Sequence, residues 1–416
     1  MAEANRNWAG NITYAATSFE TPQSVAALQA IVQKADKARA LGSRHSFNRI
    51  ADTPATLIST KALNRVISLD KAARTVTVEG GITYGELSPW LHEQGFALHN
   101  LASLPHISVV GAVSTATHGS GNRNGNLATA VAAMKIVTAS GDIVSLKRGD
   151  ADFEGAVVGL GALGIVCEIT LDIQLAFDVR QNLYTDLPLQ ALLDNFEAIS
   201  GAAYSVSGFT LWQNDRIEFL WLKNRADAQL PPADAFFGAP AATRPWHPIA
   251  AIDPAPCTEQ MGVAGPSHLR LPHFIMEFQP SAGAELQSEY FVARKDAVGA
   301  LEALRSIQHH ISPLLMVSEI RTFAADNLWL SGGYKQDGLA FHFTWQQDWE
   351  GVRQILPRME AALAPFSPRP HWGKLFTMPA AEVQSRYEKL GDFRKLATRL
   401  DPDGKFRNAF VDEFVF

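Results

Sequence analysis

Four short stretches of the chain hold residues able to do chemistry. The first is Ala40-Leu41-Gly42-Ser43-Arg44-His45-Ser46-Phe47-Asn48, small residues around a single histidine. Glycine lacks the Cβ that would keep backbone N–H groups away from a phosphate, and the histidine adds a nucleophilic, titratable nitrogen beside that anion site. Taken alone, the nine residues fit a strand-to-loop turn with a surface histidine equally well. The second stretch runs from Leu101 to Gly121 and is rich in Gly, Ala, Ser and Thr. Ile107, Val109, Val110 and Val113 are interleaved there, which a solvated linker would not need. It reads as a second segment for phosphate and ring binding, its hydroxyls supplying neutral hydrogen bonds.

The third stretch is a pair of alternating segments. By the period of two, Glu319 and Arg321 share one face while Met316, Ser318 and Ile320 take the other. Leu339, Phe341, Phe343 and Trp345 likewise back a face carrying His342 and Thr344. One apolar and one polar face fits a sheet packed on a core and lining a cavity, although a solvated face with an exposed Glu–Arg pair gives the same alternation. The fourth is His371-Trp372-Gly373-Lys374, a lysine in an aromatic and glycine context where a surface position is the commoner one. Gln287 is a further polar candidate.

A fifth stretch imitates a nucleotide motif. Gly159-Leu160-Gly161-Ala162-Leu163-Gly164 matches G-x-G-x-x-G, but the dinucleotide fingerprint needs a strand before it and a helix after it. Here a helical pattern precedes, and residues 165–173 alternate like a half-buried strand. The glycines are therefore expected to let a loop pass close under a flat ring system. The histidines are scattered with no H-x-x-x-H helix, so no metal site is expected.

These stretches need elements to hold them. Thr21-Pro22 followed by Val25, Leu28, Ile31 and Val32 predicts a helix starting with an N-cap and Pro at N1, followed by a short strand over 38–41. Residues 57–59, 66–69 and 75–79 predict strands. Thr83 and Glu86 predict a capping box for a helix to about residue 94, with Pro89 forcing a kink or a later start. A hairpin is expected over 136–146, and a helix capped by Asp150 through Val158. The second half predicts a helix over 187–199, paired strands over 204–212 and 216–222, a strand over 272–278 and a helix over 294–310. Residues 227–256, rich in Ala and Pro, read as a long excursion, either a surface loop or part of a lid.

Composition bounds the partners. The 416 residues, 47% hydrophobic, suffice for two or three domains with a substantial core. Acidic residues number 42 against 36 basic, a net charge of -6 without long like-charge blocks, which argues against nucleic acid or an anionic membrane surface. Cys167 and Cys257 are the only cysteines, so no disulfide framework is present. No signal peptide and no long apolar span is visible, and a cytoplasmic address is expected.

Together the stretches resemble the alditol oxidases, within the vanillyl-alcohol-oxidase type of FAD flavoproteins. The resemblance spans the chain: Asn7-Trp8-Ala9-Gly10-Asn11, Gly42 to Asn48, Ala102-Ser103-Leu104-Pro105-His106, Thr117-His118-Gly119-Ser120-Gly121, Gly161-Ala162-Leu163-Gly164, Glu285 to Tyr290, Glu319-Ile320-Arg321-Thr322, His342-Phe343-Thr344-Trp345, His371 to Lys374, Asp401-Pro402 and Gly404-Lys405-Phe406. It implies an α+β fold. Residues 10–175 would form a two-part FAD-binding domain, and residues 176–416 a substrate domain whose large antiparallel sheet lies over the flavin, with the C-terminal segment packing back on the FAD domain. It also implies FAD bonded covalently through His45 to the flavin 8α-methyl group. The remaining cofactor contacts would come from Leu41, Gly42, Ser43, Arg44, Ser46 and Phe47, from Ser103, Ser108, Gly111, Ser114, Thr115, Thr117, His118, Gly119 and Ser120, and from Ile165 and Val166. Arg44 departs from the pattern, standing where some relatives carry glycine. It would either crowd the pyrophosphate loop or add positive charge to it, and accommodation is expected because His45 and Ser46 are kept.

The activity implied is oxidation of the terminal CH₂OH of a polyol such as xylitol or sorbitol to the aldose, with O₂ reduced to H₂O₂ by a monomeric enzyme. Arg321 and Lys374 would stabilise alkoxide character on the reacting oxygen, and Ser103, Glu319, Thr344, His342 and Gln287 would bind hydroxyls. His342 is also open as the base. A small residue, Ala102, next to the ring favours access of oxygen. The rival on the same scaffold is an aldonolactone or sugar oxidoreductase or dehydrogenase, and the rival of another class is a flavin carrier or sensor without turnover.

Overall fold

The computed structural model describes residues 5–277 and 284–416. Three sheets matter to function. A small parallel sheet has the order Ser18–Glu20, Thr56–Ser59, Ala38–Leu41. In parallel sheets ligands bind beyond the carboxyl ends of strands, and the His45 loop leaves the carboxyl end of Ala38–Leu41. A five-stranded antiparallel sheet follows, in the order Val66–Asp70, Thr75–Glu79, Ile165–Asp172, Val131–Val137, Ile143–Lys147. Its central strand Ile165–Asp172 alternates buried and half-buried along its whole length, as its sequence predicts. The predicted hairpin is present, with Ile136 opposite Val144.

The third sheet has eight strands, all antiparallel where they pair: Gly265–Pro266, Asp178–Pro188, Arg216–Arg225, Ser205–Thr210, Leu315–Phe323, Gly338–Gln346, Glu285–Ala293 and Arg369–Pro370. Leu339, Phe341, Phe343 and Trp345 are buried, and Phe343 stacks on Trp345 at 5.4 Å. The opposite face therefore holds the polar residues. The large sheet and the α+β organisation agree with the expectation from sequence.

Arg39, only 2% exposed, ties distant segments together. Its guanidinium donates to the carbonyls of Gly161 at 3.0 Å, Leu160 at 2.8 Å and Phe406 at 2.8 Å, and also to that of Ile50. Lys37 donates to the carbonyl of Gly404, and the Asn408 amide donates to three carbonyls between residues 49 and 52. Residues 404–408 thus pack against the parallel-sheet region.

Several predicted elements differ. The first helix spans Val25–Lys34 with Ser24, not Thr21, as N-cap, because the Ser24 hydroxyl accepts from Ala27 N–H. The capping box at Thr83 and Glu86 is complete, and the helix Tyr84–Glu93 starts there, with Pro89 inside it. Asp150 accepts from Lys147 N–H in a turn, and the helix Phe153–Val157 begins after Asp152. Residues 187–199 are not one helix: the strand Asp178–Pro188 runs on through Leu187, and two short helices meet at Asn195, whose φ of -131° breaks the run. The helix predicted over 294–310 is a 3-10 turn, the helix Ala297–Ser306 and a separate turn after Ile307. Residues 272–277 form no strand; Phe274 makes a single bridge to Cys257, and Phe278 lies outside the described residues. Thr258 N–H donates to His273 O at 2.9 Å and Ile275 N–H to Pro256 O at 3.0 Å, so the pairing stops at this one bridge.

Candidate active site

Two loops face each other across a cleft. The Ser43 hydroxyl accepts from Ser108 N–H at 3.1 Å, which fixes the His45 loop against the small-residue segment. A Cβ on Gly42 would stand 2.8 Å from Ser108 Oγ, and one on Gly111 would stand 2.5 Å from it. The Ser108 hydroxyl itself is buried without a hydrogen-bond partner, and so is His45 Nδ1. A buried polar atom left unpaired costs free energy, so these two atoms and the glycine cradle fit a large polar ligand held at this point. His45 stacks on Trp8 with ring centroids 5.3 Å apart, and Trp8 N–H donates to the Arg44 carbonyl at 2.8 Å. Burial, with Lys374 nearby, pushes the His45 imidazolium down to about 3, so the ring is neutral and its nitrogen is available as a nucleophile. Arg44 has φ +66°, the left-handed conformation that glycine adopts freely.

The cleft continues into a cavity against the eight-stranded sheet, together enclosing about 290 Å³. The register sets its polar wall: Glu319 lies opposite His342, which lies opposite Glu289, and Gln287 lies opposite Thr344. Ser103, Gln287, Glu319, Arg321, His342, Thr344 and Lys374 all line this cavity. Lys374 reaches it because its segment is fastened to the His45 loop: Phe47 N–H donates to Gly373 O at 2.8 Å, and the Asn48 amide donates to Lys374 O at 2.7 Å. Lys374 Nζ donates to Gln287 Oε1 and stands 4.8 Å from the centre of the Phe47 ring. Burial brings the Lys374 ammonium down to about 8.

Glu289 is the hub of this wall, and sequence reasoning passed over it. Its Oε1 is 2.9 Å from His118 Nε2 and 3.5 Å from Arg321 Nη2. His342 Nδ1 stands 3.4 Å from Glu289 Oε2, within charge contact but without hydrogen-bond alignment. Burial opposes ionisation of Glu289, yet His118 and His342 hold its carboxyl well below the usual range. Burial also keeps His342 neutral, its pKa pushed down despite the adjacent carboxylate. Arg321 Nη1 donates to Ser103 Oγ at 3.3 Å, and Arg321 Nε lies 3.4 Å from Glu319 Oε2 without a hydrogen bond. Behind Glu319, His273 Nε2 is 2.7 Å from Glu319 Oε1, and Lys223 Nζ is 3.1 Å from His273 Nδ1. The period-two run Glu285, Gln287, Glu289 was a usable signal for the hub. Nothing in the sequence joins Lys223 or His273 to Glu319, since only cross-strand register and a loop bring them together.

Of the residues named for the cofactor, Leu41 to Phe47, Ser103, Ser108, Gly111, Ser114, Thr115, Thr117, His118, Ile165 and Val166 line the cleft or cavity. Gly119 and Ser120 do not. Ser120 Oγ donates to Val206 O and accepts from Val206 N–H, and a Cβ on Gly119 would stand 2.5 Å from the Asn100 side chain. Ser120 thereby anchors the loop to the large sheet, and Gly119 lets it pass close to Asn100. The G-x-G-x-x-G stretch is likewise corrected in part: Leu160 and Gly161 line the cleft, but their carbonyls hold Arg39, and the Gly164 Cα sits where a Cβ would strike Val137 O at 2.4 Å. Residues 247–252 of the long excursion reach the far wall through His247, Pro248, Ile249 and Ile252. Among the described residues no group of His, Cys, Asp and Glu could hold a metal ion, and no helix is long and apolar enough to cross a membrane.

Comparison with known proteins adds to this geometry. A family model described as an FAD binding domain matches residues 17–147, and one described as D-arabinono-1,4-lactone oxidase matches residues 284–414. The chain is 47% identical to an alditol oxidase of Streptomyces sp. over 100% of both chains. It is 28% identical to an L-gulono-1,4-lactone dehydrogenase of Mycobacterium tuberculosis over 97% of each. Among solved structures, cholesterol oxidase from B. sterolicum superposes with a TM-score of 0.79 at 13% identity, covering 99% of this chain and 96% of that one. A solvent-stable cholesterol oxidase gives 0.77 at 15%, over 99% and 97%. At such identities the likeness concerns the fold alone. The matched FAD domain is the part of the chain that supplies the two facing loops.

Proposed function

The chain belongs to the alditol oxidase family of FAD-dependent oxidoreductases, and from that premise we propose that it oxidises the terminal primary alcohol of a polyol to the aldehyde, with O₂ as acceptor. The observation that carries the reading is the convergence of Lys374, Arg321, Glu319, Ser103, His342 and Thr344 on one cavity wall that continues the FAD cleft. When bound, FAD supplies the hydride acceptor and passes the electrons on to oxygen. Lys374 and Arg321 place two cations where negative charge grows on the reacting oxygen. His342, neutral and lining the cavity, turns Nδ1 towards the Glu289 carboxylate, so Nε2, 3.2 Å from Thr344 Oγ1, is the nitrogen placed to take the hydroxyl proton. Glu319, Ser103, Thr344 and Gln287 offer acceptors and donors to the hydroxyls further along the substrate. A polyol lacking one of them would leave a buried polar group unpaired, so selection is for hydroxyls. His45 anchors the flavin covalently, a reading supported by its neutral ring and by its buried Nδ1, which has no hydrogen-bond partner in the cleft.

The lactone oxidoreductases keep a claim through the second family model, which covers most of the polar wall. One experiment separates the readings. Purified yellow protein is mixed with xylitol or sorbitol without air, then exposed to air. The polyol reading requires bleaching and then peroxide; bleaching by an aldonolactone and by no polyol overturns it. The covalent bond is tested by acid precipitation, where colour stays with wild-type protein and moves to the supernatant for His45→Ala.

A further inference from the structure

Lys223 stands behind the cavity, and His273, which lines it, joins Lys223 to Glu319. Both are buried, Lys223 at 1% exposure and His273 at 5%. His273 Nε2 is 2.7 Å from Glu319 Oε1, and a contact that short between a ring nitrogen and a carboxylate oxygen needs a proton between them. Arg321 and His273 hold Glu319 ionised against the burial that opposes it. Burial and the neighbouring cations bring His273 down to about 4, so its ring carries one proton, on Nε2. Nδ1 must then accept. The donor 3.1 Å away is Lys223 Nζ, whose other two N–H bonds go to Leu271 O at 2.7 Å and Pro272 O at 3.1 Å. Burial brings the Lys223 pKa down to about 7, so the ammonium, whose three donors are all used here, is the form that prevails below that pH.

His273 has a second hold on the site. Its backbone N–H donates to Ser103 O at 3.0 Å, and the Ser103 hydroxyl is the one that accepts from Arg321. Phe209 and Trp221 pack edge-on against its ring at 5.5 and 5.2 Å, so the ring is fixed in orientation.

We propose that Lys223 and His273 are positioning residues for substrate binding: the Lys223 ammonium locks His273 as the Nε2–H tautomer, and that N–H holds the Glu319 carboxylate in its place on the cavity wall. Glu319 as a substrate contact rests on the polyol reading above; the tautomer lock does not.

The test has two arms on the flavin-loaded enzyme. In the first, the half-saturating xylitol concentration for anaerobic bleaching is measured in wild type, Lys223→Met, His273→Phe and His273→Gln. Loss of one charge-assisted hydrogen bond at Glu319 raises it about tenfold or more in Lys223→Met and His273→Phe, while the limiting bleaching rate changes less. His273→Gln, whose amide can still donate to Glu319, recovers most of the loss. Equal half-saturation in Lys223→Met and wild type, or a Gln variant as impaired as the Phe variant, overturns the proposal. In the second arm, ¹⁵N spectra of the wild-type enzyme without substrate report the His273 tautomer. An Nε2-protonated neutral ring is expected, and an Nδ1-protonated ring overturns the lock whether or not any polyol bleaches the flavin. Wild-type protein that no polyol bleaches overturns the polyol reading instead, and the spectra still decide the lock.

Discussion

The flavin-facing loops and the wall of the large sheet face one cavity and are built on opposite principles. The loops work through what they lack: Gly42 and Gly111 carry no Cβ, Ser108 keeps an idle hydroxyl, and the His45 ring is neutral. The wall works through charge: Glu289, Glu319 and Arg321 are buried together with His118 and His273, and the half-buried Lys374 and His342 line the cavity beside them. A flat cofactor of fixed shape can be met by backbone and small side chains. A flexible polyol has to be met hydroxyl by hydroxyl, which takes many polar groups held rigidly. The difference predicts that substitutions in the wall damage fold and rate together, while those in the loops damage cofactor retention alone.

The largest effect should follow Glu289→Leu. It leaves His118, His342 and Arg321 facing an apolar side chain, and breaking a buried ion pair from one side costs about 3–5 kcal/mol. Thermal or denaturant unfolding should show that loss, and Ser108→Ala, removing a buried hydroxyl from the loops, should show almost none. Equal losses at the two sites would erase the distinction between the regions.

Lys374→Met comes next. Removing a donor aimed at developing charge slows the chemical step about 10²–10³-fold, read as anaerobic flavin reduction by stopped flow. The pH dependence carries a sign. The Lys374 ammonium has its pKa lowered to about 8 from 10.5, so the working cation is lost, and activity falls, as pH rises past 8. Between those values the unfolded chain binds this proton more tightly than the folded one, so the same lysine makes stability rise with pH. A decline in activity accompanied by falling stability would point to unfolding and away from Lys374.

How much of this contrast the sequence reveals depends on how each region is made. The loops are contiguous, so Gly42 to Phe47 and Ser103 to Thr117 announce themselves by composition. The pairs Glu319/Arg321 and His342/Thr344 show through strand alternation, which is local. Glu289 shows the same alternation with Glu285 and Gln287, but its meaning comes from His118 on a distant loop and His342 on the next strand. Lys223 is a lysine in an apolar strand, and His273 sits in a stretch that reads as a strand but folds as a loop; only the folded contacts give either a role. The helix boundaries at Asn195 and Ile307 were illegible for a related reason, since short breaks in φ leave the apolar spacing intact.

A smaller effect is expected on the loop side from Gly111→Ala. The new Cβ would meet only the Ser108 hydroxyl, 2.5 Å away, which can rotate aside, so the fold should keep its stability. The rotated hydroxyl is lost to the cofactor, and one hydrogen bond is worth about 1 kcal/mol, about fivefold in affinity. In a His45→Ala background, where flavin exchanges freely, the FAD dissociation constant should rise by that factor.

Arg44→Gly should be the mildest change and the one that bears most on the loops' design. At φ +66° a side chain costs about 1–2 kcal/mol that glycine would not, but glycine also frees the unfolded chain by about 0.5–1 kcal/mol. The two nearly cancel, and Tm should move by about 2 °C or less. What the substitution removes is one positive charge from the lining of the cleft. If the guanidinium aids the pyrophosphate, FAD affinity in the His45→Ala background falls severalfold at low salt, and the gap to Arg44 closes as salt screens the charge. A gain in affinity that ignores salt would mean the side chain crowds the loop, and the region would then be selected for small residues throughout, with Arg44 as its one misfit.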